Sequence, residues 1–417
     1  MINDGRALAA PGDGRPPRRR WVAGTAAVSA VLVGIGFAAV AGWSLRAATL
    51  QPLDDSRRQG QLVHLDRALE AGAAERGQQL FPEGFFFQHA LTGLAHATAA
   101  APGDEPALAA ARAALRAVDS PEGAARFQVS NPPNGAFHAG WSLLLAVQIS
   151  RLSGDPADAT VVRERARPAL ASVQARLDSG GSPFLDSYPG QSWPVDSVVL
   201  VAALAQADTE LGVDGAASLV SRWRGAVRQR ADPVSGLLPH RTRADGTAID
   251  GARGSSQSVI QTFWPDIDPP GAADSYRRFT EHFVDRCAGL VGAREYPHGQ
   301  AGRGDVDSGP LVDGCSASAT AVTLAAARRN GDLPLAATLD REAELAWTPT
   351  PIAGRRYAGG LLPVADAFLA WARAQPVGTG TPSDTPQVRW AWWVAVPAVA
   401  SGLCGVVAAR AVRRVRA

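Results

Sequence analysis

The sequence predicts an all-α protein: six pairs of outer and inner helices closed into an (α/α)6 toroid, with a small β-hairpin insertion and two flanking transmembrane helices. Three observations predict it. Uncharged spans lie near each end of the 417-residue chain; between them a Gly/Pro/aromatic loop followed by a small-residue helix recurs six times; and an amphipathic segment precedes each copy. Helices apolar all round must be buried, and helices apolar along one stripe cover them. A fixed period of this kind marks a repeated supersecondary unit rather than unrelated domains.

Composition narrows the function classes. Hydrophobic residues make up 46% of the chain, enough for a large core, and the net charge of +2 excludes a nucleic-acid binder by electrostatics. Every one of the 41 basic residues is arginine.

In chain order, residues 1–20 read as a basic tail and Trp21 to Trp43 as a first membrane span. Residues 44–373 read as the toroid, 374–389 as a linker, 390–409 as a second span and 410–417 as a second basic tail. Each span has the length needed to cross about 30 Å of hydrocarbon and carries Trp at an interface. The first is too long for a signal-peptide core and lacks a clear cleavage site, so a retained anchor is expected. Arg15, Arg18, Arg19 and Arg20 precede the first span, and Arg410, Arg413, Arg414 and Arg416 follow the second. The positive-inside rule then puts both termini in the cytoplasm and the toroid outside it, so the expected partner is the bilayer of the plasma membrane. Cys404 falls inside the second span. Cys287 and Cys315 face an oxidising compartment and are disulfide candidates, on the outer and inner segments of one helical hairpin.

The outer segments are clearest at 56–77 and 157–178, where apolar residues recur at three- and four-residue intervals. The inner segments begin at 81, 131, 187, 251, 302 and 358. Residues 236–254 fit neither type: the alternation around Ala-Asp-Gly reads as a β-hairpin, with Asp245 and Asp250 as turn formers.

In such a ring the loops leading into the inner helices gather over one end. Here they hold Glu83, Phe86 and His89; His138 and Trp141; Tyr188, Gln191, Trp193 and Asp196; Gln257 and Trp264; and Glu295, His298, Asp305 and Asp307. Convergent polar groups walled by aromatics make the default ligand pocket. Asp196, Asp305, Asp307 and Glu295 are the candidate catalytic carboxyls, and the others candidate substrate contacts. Each also has a local reading. Asp307 or Ser308 suits the N-cap of the fifth inner helix, and Asp196 suits the first turn of the third. The histidines lack ligand spacing with one another, so no metal is expected, nor any other cofactor.

The order FHAGWSLLLAVQISRLSGD, SYPGQSWPVDSVVL, GLLPHRTRADGTAIDGARGSSQSVIQTFW and REYPHGQAGRGDVDSGPLVDGCSASATAVTLAAARRNGD resembles the six-hairpin superfamily, most closely the linalool dehydratase/isomerase family. The resemblance implies a toroid whose funnel handles a small isoprenoid alcohol by acid/base chemistry with cysteine participation. The family's cysteines fall around the third leading loop, where this chain has Tyr188, Gln191, Trp193 and Asp196 instead. Three functions therefore compete. The first is inverting hydrolysis of a glycan by two carboxyls roughly 6.5–9.5 Å apart, Asp196 with Asp305 or Asp307. The second is lyase or isomerase chemistry on an apolar alcohol, with Asp305 or Glu295 as acid. The third is glycan or partner binding without catalysis.

Overall fold

A computed structural model describes residues 18–347, 349–350, 354–386 and 388–416, with backbone alone at 18–20 and 414–416. The chain forms two compact units, Met1–Leu50 with Arg389–Ala417, and Gln51–Val388.

The first unit is a helix pair, α1 (Arg18–Thr49) and α16 (Trp390–Arg416), packed along one another. Ser401 Oγ donates to the Gly34 carbonyl at 2.9 Å, and a Cβ on Gly34 would stand 3.1 Å from that of Cys404. Trp21, Leu32, Ile35, Trp392 and Leu403 are exposed. Trp21–Thr49 and Trp390–Arg413 are each long and apolar enough to cross a membrane. Both helices outrun the spans read from sequence, because an Arg near a helix end keeps its backbone hydrogen bonds and extends its guanidinium to water. Arg15 and most of the N-terminal tail lie outside the described residues, as do the side chains of Arg18, Arg19, Arg20, Arg414 and Arg416.

The second unit is mostly helical. In order it contains α2 (Asp55–Glu70), α3 (Ala73–Leu80), α4 (Gly84–Ala99), α5 (Glu105–Val118), α6 (Pro121–Ala124), α7 (Gly135–Ser153), α8 (Pro156–Asp178) and α9 (Pro194–Leu211). There follow α10 (Ala216–Arg228), α11 (Gly254–Ile267), α12 (Ala272–Phe283), α13 (Ala317–Arg329), α14 (Leu333–Ala346) and α15 (Pro363–Ala374). The six small-residue stretches are α4, α7, α9, α11, α13 and α15. Each packs on the next, and α15 packs on α4. Small residues permit this: a Cβ on Gly140 of α7 would lie 2.9 Å from the Leu200 backbone nitrogen of α9, and one on Gly93 of α4 would lie 2.5 Å from the Ala114 Cβ of α5. The amphipathic helices lie against them, α5 on α4 and α7, α8 on α7 and α9, and α2 on α15 and α4. The segment read as one helix over 56–77 is two, α2 and α3, because Gly72 adopts a left-handed conformation between them.

Rings from four of the six helices meet in the middle. Trp141 of α7 contacts Phe87 of α4, Phe263 of α11 and Trp371 of α15 at centroid distances of 5.5, 5.6 and 5.5 Å. Toward the helix C-termini a polar chain crosses the same space: Gln148 donates to Gln206 at 3.0 Å, Gln206 to Asp266 at 2.9 Å, and Arg329 to Asp266 at 2.6 Å. First and last helices are joined by a buried ionic network. The Arg373 guanidinium donates to Asp340 Oδ1 (2.8 Å), Gln61 Oε1 (2.6 Å), Tyr357 Oη (2.6 Å) and Glu344 Oε1 (3.1 Å), while Arg57 of α2 reaches Asp340 at 2.9 Å.

The unit also holds two small sheets, where the sequence led us to expect a single hairpin in an all-α fold. The expected hairpin is β1 (Arg241–Thr242) with β2 (Ala248–Asp250). Asp245 accepts from the Thr247 amide at 2.8 Å and does form the turn. Asp250 does not: it stands on β2, 3.2 Å from the Arg241 guanidinium across the strand pair. The unexpected sheet is antiparallel, in the order β3-β4-β6-β5, built from β3 (Val284–Cys287), β4 (Leu290–Arg294), β5 (Leu311–Val312) and β6 (Cys315–Ser316). Ala288 and Gly289, both at positive φ, make the two-residue β3–β4 turn. Cys287 and Cys315 form a disulfide with Cα atoms 6.1 Å apart. They therefore sit on strands β3 and β6, and not on two helices of a hairpin.

Candidate functional site

Three carboxyls from distant stretches of sequence come into electrostatic range at the N-terminal ends of α4 and α9. Glu83 immediately precedes α4, and its side chain makes no capping bond; instead the Tyr188 hydroxyl donates to its Oε1. Asp196 lies in the first turn of α9, started by Pro194 at a position where the missing amide costs nothing. It is 7% exposed, and Ser187 Oγ donates to it at 2.5 Å. Asp307 comes from the β4–β5 loop.

That loop resolves the ambiguity of the DVDSG stretch. The N-cap of α13 is Ser316, whose Oγ accepts from the Ala319 amide at 3.1 Å, so neither Asp307 nor Ser308 caps the helix. Asp305 Oδ1 accepts from the amides of Asp307 and Ser308, each at 3.1 Å, and Oδ2 pairs with Arg253. Ser316 Oγ and Ser318 Oγ donate to the carbonyls of Ser308 (2.8 Å) and Asp307 (2.5 Å). The Asp307 backbone is thus fixed, while its exposed carboxyl has no hydrogen-bond partner among the described residues.

The electrostatics follow from these positions. Burial raises Glu83 to about 7, helped by the negative charge of Asp307. Burial raises Asp196 to about 7 against the Ser187 hydrogen bond, with the charges of Glu83 and Asp307 adding to the rise. Crowding by protein raises Asp307 to about 6, Asp305 adds to it and Arg253 opposes it. Asp307 keeps open solvent on one side, so it ionises first of the three. Burial would raise Asp305 too, but the Ser308 amide and the Arg253 charge hold it below the usual carboxylate range.

The remaining candidates sit as follows. Glu295 is wholly enclosed and accepts from the amide and hydroxyl of Ser255 at 3.0 and 2.9 Å, securing the start of α11; burial raises it to about 7. Trp193 and Tyr188 are half-buried and meet edge-on at 5.6 Å, and Gln191 is exposed on the turn that carries Tyr188. Phe86, His138 and Trp141 are buried; His138 bonds the Val118 carbonyl at 3.1 Å, and burial lowers its pKa. His89 is half-buried against Phe85 and also lowered by burial. Gln257 donates to the Leu238 carbonyl at 2.7 Å and, with Trp264, lines a separate recess between α10 and α12. His298 is exposed, 3.5 Å from Asp285. Residues 302–305 and 309–311 line a shallow surface recess beside Asp307. Among the described residues no three His, Cys, Asp or Glu side chains are placed to hold a metal ion.

Two residues were not singled out from sequence. Phe127 stacks on Tyr188 at 5.6 Å and braces it. His240 is buried beside Ser256, Nδ1 to Oγ 2.6 Å, and held near 4 by burial and by the Arg253 charge. Both lie in stretches without helical period. Neither a family model nor a curated protein matches this chain.

Proposed function

We propose that Gln51–Val388 is an (α/α)6 toroid held outside the cytoplasm by two membrane anchors, and that it hydrolyses a glycan by carboxylate acid/base chemistry of the inverting type. The cyclic packing of α4, α7, α9, α11, α13 and α15 supports the toroid. The arginines flanking α1 and α16 support cytoplasmic termini. Kinship with the six-hairpin superfamily rests on the order of loop motifs. The cysteine chemistry of its linalool dehydratase/isomerase branch is not carried over, since Cys287 and Cys315 are bonded to each other.

The observation that carries the reaction is that Glu83, Asp196 and Asp307, from three separate loops, lie within electrostatic range of one another, with Asp307 fixed by its backbone and free at its carboxyl. An inverting hydrolase needs an acid that stays protonated near neutrality and a base that does not. Glu83, raised to about 7 and partly accessible, is the acid; Asp307, at about 6 and open to water, is the base. The charge of Asp307 helps keep Glu83 protonated by like-charge repulsion, and buried Asp196 is raised in turn by both. Trp193 and Tyr188 offer partly exposed aromatic faces for a sugar ring. The middle of the unit is filled by Phe87, Trp141, Phe263 and Trp371, which leaves no closed apolar pit for an isoprenoid there.

Purified full-length protein incubated with a panel of bacterial and plant polysaccharides should release reducing ends. Activity should rise as Asp307 ionises near pH 6 and fall as Glu83 loses its proton near pH 7. Asp307→Asn and Glu83→Gln should each lower the rate by roughly a hundredfold or more, since each preserves shape and removes a titrating group. No release from any member of the panel, or release that survives both substitutions, overturns the reading.

A further inference from the structure

A second recess, of about 240 Å³, lies away from Glu83, Asp196 and Asp307, between the β3–β6 sheet and helices α13, α14 and α15. Leu290 and Val291 of β4, Ala321 and Leu324 of α13, Leu339 of α14 and Leu369 of α15 form an apolar wall, with the Cys287–Cys315 disulfide among them. Val312 and Leu362, 60% and 46% exposed, extend the apolar surface outward from it. One polar side chain breaks the lining without being used up by it. Glu342 of α14 is 4% exposed, and its Oε1 accepts from the Val291 amide at 2.6 Å. Its second carboxyl oxygen has no partner among the described residues. Asp366, the other carboxyl of the lining, is already engaged by the Tyr357 amide and the Gln61 side chain.

A buried carboxyl with no cation beside it stays protonated, and a protonated carboxyl has one O–H to donate. An apolar cavity holding a single convergent donor selects an apolar molecule with a single acceptor. The volume lies below the roughly 300–1,000 Å³ of drug-sized pockets, which limits the ligand to a small one. We propose that this recess binds a small lipid-like molecule whose only polar group is an uncharged hydroxyl, carbonyl or ester oxygen, accepting a hydrogen bond from Glu342. The site is independent of the glycan reading: its residues and those of the carboxylate group do not overlap.

Trp347 lines the recess and serves as reporter. Full-length protein in nanodiscs is titrated with ω-bromodecanol, whose bromine quenches nearby indole fluorescence. Saturable quenching is expected, and it should be lost in Trp347→Phe. Glu342→Gln keeps a donor and should bind about as well, whereas Glu342→Leu should bind roughly tenfold more weakly, as expected for one lost hydrogen bond. Because Glu342→Leu also strands the Val291 amide, Ala321→Phe provides a second variant. It fills the recess from α13, and it should abolish saturable quenching while the protein remains folded by circular dichroism. Quenching that grows linearly and equally in wild type and Ala321→Phe would mean bilayer partitioning alone and overturn the site. Tighter binding of ω-bromodecylamine than of the alcohol would overturn the uncharged ligand class.

Discussion

Replacing Arg373 by Met keeps the length of the side chain and removes the charge that joins the two ends of the second unit. Arg373 is 4% exposed, and Asp340 and Glu344, two of its four partners, are wholly buried. After the substitution Asp340 keeps Arg57 and the Leu53 amide, and Glu344 keeps Arg355 and the Tyr357 hydroxyl, so neither is stranded completely. Gln61 loses its bond at Oε1. Removing one member of a buried ionic network costs about 3–5 kcal/mol, and the surviving partners place this case toward the lower end. At about 2.1 cal/mol/K per residue, a unit spanning Gln51–Val388 unfolds with an entropy near 0.7 kcal/mol/K, so the midpoint should fall by roughly 4–7 °C. Differential scanning calorimetry on protein in nanodiscs reads this directly. Arg373→Lys should recover only part of the loss, because an ammonium cannot serve four acceptors spread in the guanidinium plane. A Met variant within 1 °C of wild type, a loss of about 0.7 kcal/mol or less at that entropy, would refute the claim that these bonds secure the seam between α2 and α15.

Two further predictions rest on particular side chains. Burial raises Glu342 to about 8 from 4.5, so the folded state binds its proton more tightly than the unfolded chain, and stability falls as pH rises between those values. Glu342→Gln should therefore be nearly neutral at pH 4 and stabilise by a few kcal/mol at pH 9, measured by urea unfolding; equal effects at both pH values would contradict it. For topology, a cysteine at exposed Asp214 should react with an impermeant maleimide in intact cells and one at Gly5 should not, in a Cys404→Ala background; labelling of both would sink the assignment of both termini to the cytoplasm.

The helical skeleton was legible because its signals are local. Six almost uncharged stretches became α4, α7, α9, α11, α13 and α15, since a helix apolar nearly all round has the interior to occupy. The two helices long and apolar enough to cross a membrane were legible as unbroken uncharged stretches, though helix continuity carried them past their apolar limits. Strands β3 to β6 were not legible. They are two to five residues long, their alternation is broken by Asp285, Arg286 and Gly292, and pairing partners such as Arg294 and Cys315 lie far apart in sequence. The Ala288–Gly289 turn was the one usable local sign. Missing that sheet left Asp307 assigned by proximity to the helix that follows, when the cap is nine residues further on, at Ser316.

Chemistry-bearing residue types were visible one at a time in the sequence, but a residue's role depends on what is brought against it. Asp305 and Asp307 are two residues apart in one loop, yet the fold turns the first onto Arg253 and two backbone amides and leaves the second unpaired. Glu295 and Glu83 are both carboxyls beside a helix start, yet one is enclosed on Ser255 and the other stands partly open beside Tyr188. Sequence by itself determined most helices, which of them are apolar nearly all round and which along one stripe, and the two helices long and apolar enough to cross a membrane, because hydrophobic period and capping act within a few residues. Only the tertiary structure decided which carboxyls gather, which are spent on packing and which keep a free oxygen, because burial and charge proximity are set by contacts between residues tens to hundreds of positions apart.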